Sequence, residues 1–273
     1  MKRTLYILCC LVGLYALSPI MIKGENENGG TMTADEIIAQ ADSAYTADDF
    51  QKAIELYNYT LGAFGSSSQI YFNLGNSYYR MGQMGKAILA YERALRLDPA
   101  NKDARENLAF VNARITDRPG ERGTFLSNAL DSISGYLSSN SWGWIALICF
   151  AITMSGILAY MFSETIILRK VGFFGGFMTF ILSLITVFFA IRSASIASSD
   201  EYAVIIAPST ILSTAPRVPT DRSQEAMLLH EGTRVHILDS VRSTTDTIQT
   251  VWYDVEVDNT HRAWINASDV ERI

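Results

Sequence analysis

The sequence predicts a multidomain membrane protein: an all-α solenoid of helical repeats, two transmembrane helices and a small all-β barrel. Three observations lead there. The runs Trp142–Phe162 and Val171–Ile191 contain no charged residue. Each is long enough to cross a hydrocarbon core, which takes about 20 helical residues. Before them, a pattern of Leu, Ala, Gly and Tyr recurs every 34 residues. After them, strand-like runs alternate with turn residues to the last position, Ile273.

The apolar runs set the frame. Lipid offers no partners to backbone N–H and C=O groups, so a spanning segment satisfies them internally, as a helix does. The connector 163–170 carries Arg169 and Lys170, and basic loops stay on the cytoplasmic side. The tip is therefore expected in the cytoplasm and both flanks outside the inner membrane; Arg192 is the single opposing charge. Trp142 and Trp144 stand where aromatic anchors mark the outer interface. Gly172 and Gly176 have the small-xxx-small spacing that lets helices approach.

Composition narrows the function. A hydrophobic content of 49% fits a membrane protein with soluble parts, and a net charge of −6 argues against nucleic acid as a partner. Cys9, Cys10 and Cys149 all lie in apolar runs, so no disulfide framework is implied. His230, His236 and His261 lack a metal-ligand spacing. No Gly-rich phosphate loop or nucleophile elbow is present. No catalytic, cofactor or metal residue is assigned, and an enzyme is not expected.

Lys2 and Arg3 precede the apolar run Leu5–Leu17, the plan of an export signal. Residues 1–24 read as a signal sequence or an uncleaved N-terminal anchor. A polar linker leads to Ala34, where the helical pattern begins. Its clearest unit, 68–101, reads Tyr71-Phe72-Asn73-Leu74-Gly75-Asn76-Ser77-Tyr78-Tyr79, then Gly82, Ala87, Tyr91, Ala94 and Pro99. Gly75 and Ala87 let two antiparallel helices approach, Tyr78 and Tyr91 fill the space between them, and Pro99 stops the last turn. This pattern resembles the tetratricopeptide repeat (TPR).

A weaker copy occupies 34–67, with Ala41, Ala44, Ala53 and Tyr57 in register with Gly75, Tyr78, Ala87 and Tyr91. A third begins at Leu108 and Ala109 and then fades, so 102–116 reads as a capping helix and 34–116 as the TPR region. The first helices of such repeats line a concave groove. By position, Tyr45, Phe72, Asn76, Tyr79, Phe110 and Arg114 line it here. The groove is expected to bind a segment of a partner protein or to serve self-association. A clamp for a C-terminal carboxylate needs basic and Asn residues at set positions. Only Asn76 matches, so that mode is not expected.

Phe125, Leu126, Leu130, Ile133 and Leu137 recur at helical spacing within 123–141. This amphipathic juxtamembrane helix is expected to lie in the outer leaflet interface or to pack on the TPR cap. Residues 142–162 and 171–191 are the transmembrane helices. Asp42-Ser43-Ala44, Asp131-Ser132-Ile133, Asp239-Ser240-Val241 and Asp246-Thr247-Ile248 resemble a three-residue bacterial O-glycosylation pattern.

The last region, 200–273, carries strand-like runs at Tyr202–Ala207, Thr210–Ser213, Thr233–Leu238, Thr250–Val257 and Arg262–Ile265. Short strands this closely spaced suggest a small barrel. Ala207-Pro208-Ser209, Leu229-His230-Glu231-Gly232-Thr233, Trp252-Tyr253-Asp254-Val255 and Ala263-Trp264-Ile265 resemble a bacterial SH3 domain. Trp252 and Trp264 read as core aromatics. Tyr253 is the one plausible exposed aromatic, so a groove for proline-rich peptides is not expected.

The full order is export signal, TPR repeats, two-helix hairpin and SH3-like domain. It resembles the BatE-like proteins of the bacterial Bat aerotolerance operon. That resemblance implies a membrane complex with Bat-family von Willebrand A proteins, indirectly a MoxR-type ATPase, and a role in oxygen tolerance or envelope stress. The function expected is a non-enzymatic scaffold in the inner membrane with its TPR and SH3-like modules in the periplasm. The alternative is peptidoglycan binding through the SH3-like domain.

Overall fold

Small residues at the helix crossings shape the first part of the chain. Ala41, Ala53, Ala87 and Ala94 have no accessible surface, which lets neighbouring helices pack backbone against backbone. The computed structural model describes residues 32–117, 124–199, 201–245 and 248–273; the export-signal reading of 1–24 lies outside them. Helices α1 (Ala34–Thr46) and α2 (Phe50–Phe64) form one pair, α3 (Ser68–Arg80) and α4 (Met84–Leu97) a second, and α5 (Lys102–Asn112) closes the stack. The 34-residue register extends to the turns. Gly82 takes φ +75° between α3 and α4, and its counterpart in the first pair, Asp48, takes φ +60°. A non-glycine residue there is uncommon; the Asp48 carboxylate meets the Arg80 guanidinium at 2.8 Å. Asp49 and Asn101 cap the helices that follow them by accepting the Lys52 and Ala104 backbone N–H.

Helices α7 (Ser139–Phe162) and α8 (Ile166–Ser198) are each long and apolar enough to cross a membrane. Both exceed their predicted spans. α7 starts early because Ser138 caps it, accepting the Ser141 N–H. α8 takes in Arg169, Lys170 and Arg192, shrinking the connector to Ser163-Glu164-Thr165. Arg192 is tolerated because Asp131 lies 2.8 Å away. Glycine brings the two helices together. A Cβ on Gly172 would stand 2.6 Å from the Gly156 carbonyl oxygen, and one on Gly156 2.8 Å from that of Gly172. The Thr153 and Thr179 hydroxyls hydrogen-bond at 2.9 Å in the same seam. Gly172→Leu is therefore expected to force the helices apart. In a background with Cys149→Ala, a Thr153→Cys/Thr179→Cys disulfide should close readily with Gly172 present and fail with leucine there. Closure at equal rates would show that the glycine contact does not set the spacing.

Helix α6 (Phe125–Ser134) is shorter than the 123–141 expected of the juxtamembrane segment, because Gly135 ends it. It packs chiefly on the hairpin: Asp131 on Arg192, and the Ser134 carbonyl on the Trp142 indole N–H at 3.2 Å. Arg105 reaches it from the TPR cap, donating to the Gly135 carbonyl. Phe125 and Leu126 remain 90% and 67% exposed.

The C-terminal region is one antiparallel sheet of seven strands rather than a five-stranded barrel. The strands are β1 (Tyr202–Ile205), β2 (Ser209–Ser213), β3 (Glu225–His230), β4 (Arg234–Thr245), β5 (Ile248–Asp258), β6 (His261–Asn266) and β7 (Val270–Arg272). Their order is β3-β2-β6-β5-β4-β1-β7. Among the described residues no ladder joins β3 to β7, so the sheet is open. Strand β3 escaped the sequence reading because Glu225-Ala226-Met227 lacks the β-branched residues that mark strands. Ile205, Leu212, Val235, Val255 and Ile265 are fully buried in its core. Trp252 is buried, whereas Trp264 is only half-buried. Strand alternation explains this: Ala263 and Ile265 take the core face and turn Trp264 to the other. Tyr253 is also half-buried, under the Arg272 guanidinium at 4.9 Å from its ring.

Residues 34–273 cluster as one unit, and the sheet docks on α4 and on Ile115 and Asp117, which follow α5. A Cβ on Gly85 would lie 2.8 Å from the Ile205 carbonyl oxygen, and one on Gly232 2.8 Å from both Ile88 and Ile115. Val204 is buried within the helical core cluster. Around this apolar seam, Glu231 accepts the Gly85 N–H at 3.0 Å and Arg93 pairs with Glu271 at 2.9 Å. Arg96 donates to the backbone oxygens of Ala197 and Ile273. Asp117 accepts from the His230 N–H at 2.5 Å, the His230 ring at 3.0 Å and the Thr233 hydroxyl at 2.9 Å.

Candidate functional site: the helical groove

Helices α1, α3 and α5 line the face of the array away from the docked sheet. Two polar networks, one repeat apart, form its floor. In the first, Asp42 Oδ1 accepts from the Tyr57 hydroxyl and from the Asn73 amide at 3.2 Å. In the second, Asn76 Oδ1 accepts from the Tyr91 hydroxyl at 2.7 Å and from the Asn107 amide at 2.8 Å. Each acceptor ties its own helix pair together through the tyrosine and reaches the next repeat through the asparagine. Polar side chains linked in this way, with only the tyrosines buried, fix one another's geometry. Burial pushes both phenols above the ordinary tyrosine range. For Tyr57 the hydrogen bond to the Asp42 carboxylate adds to burial; for Tyr91 the Asn107 amide opposes it.

Two clefts open above this floor. One of about 240 Å³ is lined by Asp42, Tyr45, Thr46, Tyr57, Asn73 and Asn76. The other, about 450 Å³, has Tyr45, Asn76, Tyr79, Asn107 and Phe110 among its lining residues. Tyr79 and Phe110 meet edge to face at 5.7 Å. The two clefts share Tyr45 and Asn76.

Four of the six sequence-predicted positions, Tyr45, Asn76, Tyr79 and Phe110, thus stand together along the groove. Phe72 does not. It is half-buried and faces the Tyr91 ring at 6.2 Å, as part of the core. Arg114 folds back over the Phe110 ring at 3.3 Å and donates to the Phe110 carbonyl, outside the cleft lining. Sequence reasoning missed Asn73, Asn107 and the hydroxyls of Tyr57 and Tyr91. The signal was present: Asn73 and Asn107 are one period apart, as are Asp42 and Asn76. Of the Asp-Ser patterns, Ser43 and Ser132 lie within helices and Ser240 on a strand; Asp246-Thr247 lies outside the described residues.

Comparison with known proteins agrees on the centre of this region. Residues 68–101 match the tetratricopeptide repeat family. TPR repeats are protein–protein interaction modules, typically of non-enzymatic scaffolds, and the matched unit contributes Asn73, Asn76, Tyr79 and Tyr91 to the groove. A stretch of 87 residues, 32% of the chain, is 30% identical to the Protein CTR9 homolog of Arabidopsis thaliana. It spans 8% of that protein's length.

Proposed function

We propose that the chain is a membrane-anchored, non-enzymatic scaffold whose TPR groove holds an extended segment of a partner protein. The observation that carries this reading is the groove itself. Tyr45, Tyr79 and Phe110 present aromatic surface beside a floor tied together by the Asp42 and Asn76 hydrogen-bond networks. Tyr45 and Tyr79 are half-buried and Phe110 exposed, and aromatics held in this way in a cleft are what partner side chains anchor on. The two apolar helices are the anchor, with the end bearing Arg169 and Lys170 in the cytoplasm and the TPR array and sheet in the periplasm. Residues 1–24 are the export signal. The sheet is SH3-like, supported by its Leu229–Thr233 turn and Trp252–Val255 strand despite the open ladder. The domain order supports a BatE-like role in an aerotolerance or envelope-stress complex, with Bat-family von Willebrand A proteins and a MoxR-type ATPase as partners.

A photo-cross-linking amino acid placed at Tyr79 in intact cells tests the groove. One discrete protein adduct is expected, reduced about tenfold or more by Tyr45→Ala or Phe110→Ala, the scale of losing an interface anchor. An adduct pattern indifferent to both substitutions would remove the groove from the function. Reporter fusions at residues 116 and 273 should both report the periplasm.

A further inference from the structure

We propose that the two clefts read different chemistry, the first taking a lysine or arginine side chain of the bound segment and the second an adjacent apolar or aromatic one. This rests on the groove reading above and specifies its ligand: a segment carrying a basic residue next to a large apolar residue.

The argument starts from a substitution the protein makes on itself. The 34-residue register puts Asp42, Asn76 and Phe110 at one groove position in successive repeats. Around Asp42 and Asn76 the networks correspond atom for atom: a tyrosine hydroxyl and an asparagine amide, both donating to Oδ1. Asparagine therefore suffices to build the floor. The carboxylate at position 42 adds a charge that the architecture does not need.

That charge is not neutralised where it stands. Tyr57 and Asn73 are neutral donors and both use Oδ1; among the described residues, Oδ2 accepts no hydrogen bond. No lysine or arginine lines the first cleft. Arg80 lines the second cleft and is engaged by Asp48 at 2.8 Å. Asp42 is exposed, and its Oδ2 thus offers a free anionic acceptor on the cleft that Tyr45 also lines. An ammonium or guanidinium entering there gains a charge-assisted hydrogen bond and an aromatic face that favours cations. In the second cleft the equivalent position is neutral Asn76, and the next is Phe110. Tyr45, Tyr79 and Phe110 supply aromatic walls, and the charges at its rim are paired, Arg80 with Asp48 and Glu106 with Lys102 at 3.4 Å. Such a slot favours an uncharged, large side chain.

The test uses the full chain in phosphatidylcholine nanodiscs, whose neutral lipid does not itself capture basic peptides. A random 12-residue phage library is selected on it, and the winning peptide is synthesised with its basic residue intact or replaced by glutamine. Enriched peptides are expected to place Lys or Arg beside Phe, Tyr, Leu or Met, and Tyr79→Ala should weaken them. Asp42→Asn should weaken the basic peptide about tenfold or more, the scale of a close charge pair, and leave the glutamine peptide unchanged. Because Asn76 already builds the same network, Asp42→Asn should melt with the parent protein. Asn76→Asp should create a second acidic cleft and tighten binding of a peptide with two basic residues. Peptides that depend on Tyr79 but show no basic preference, or that ignore Asp42→Asn, would overturn this proposal and leave the groove reading standing. If no selected peptide depends on Tyr79, or no peptide is selected, both fall.

Discussion

Replacing Asp117 with alanine is expected to undock the sheet from the helical array while leaving the helix pairs and the strand ladders intact. The carboxylate holds the backbone N–H and ring of His230 and the hydroxyl of Thr233, three donors from the turn between β3 and β4. Its side chain is only 15% exposed, so water replaces it poorly. Hydrogen bonds to a charged group are worth about 1.5–3 kcal/mol each, and leaving buried donors without a partner adds to the loss. Because the three bonds share one group they are not additive, and a total of about 3 kcal/mol is expected. By contrast, the exposed Arg93–Glu271 pair across the same seam should be worth about 1 kcal/mol or less. Hydrogen exchange in detergent micelles reads the outcome: the amide of Gly85, which donates across the seam to Glu231, should exchange faster in Asp117→Ala, and those of Ala53 and Val255 should not. Unchanged protection at Gly85 would mean that the apolar seam docks the sheet unaided.

The same contact sets a pH limit. Burial alone would push the Asp117 carboxyl up. The His230 backbone N–H, the His230 ring and the Thr233 hydroxyl together outweigh it and hold the group below the ordinary carboxylate range. A folded value below the unfolded one means that the contribution is complete above the unfolded value, about pH 4. It is lost as the pH falls through the folded value. The seam should therefore stay closed near neutrality and loosen only in strong acid, and Asp117→Ala should abolish that acid step.

What could be read from the sequence follows a physical rule. The repeats were legible because helix–helix crossings need small residues at fixed spacing, and Gly75, Ala87 and Tyr91 recur as Ala41, Ala53 and Tyr57 at that spacing. The two long apolar helices were legible because charge-free runs of about 20 residues stand out by length and composition. Their ends were not, because the Arg192 charge that seemed to close α8 is met by Asp131, 61 positions away. The docking of sheet on helices left no local trace either: Asp117 and His230 are separated by 113 positions, and no periodic pattern encodes such a pairing. Within the groove, aromatic positions could be assigned by register alone. Phe72 shares a helix face with Asn76 and Tyr79 at i, i+4 and i+7, so register alone does not show that its ring packs against Tyr91 and the core.

Tyr91→Ala is expected to cost the most of any groove substitution, about 3–5 kcal/mol, the scale of deleting a buried aromatic. Tyr91 is 1% exposed, and its ring lies where a Cβ on Gly75 would come within 2.6 Å of Cε1. Gly75 has no side chain to swing into the hole, so the cavity left by alanine cannot collapse from that side. Tyr91→Phe keeps the ring and removes one hydrogen bond to Asn76, whose Oδ1 still has Asn107, so about 1 kcal/mol is expected. The two variants therefore separate the wedge from the network. Thermal melting of the full chain in detergent should rank parent, Tyr91→Phe and Tyr91→Ala in that order, with the larger gap at the second step. Alkali supplies an independent reading. Burial raises the folded phenol above its unfolded value, so its contribution is complete below about pH 10 and fades as the pH climbs toward the folded value. Absorbance near 295 nm should show Tyr57 and Tyr91 ionising after the exposed tyrosines and together with loss of helical signal. If both ionised with the exposed tyrosines and the helices persisted, the floor would not hold the array together, because its tyrosines would be open to solvent in the native state.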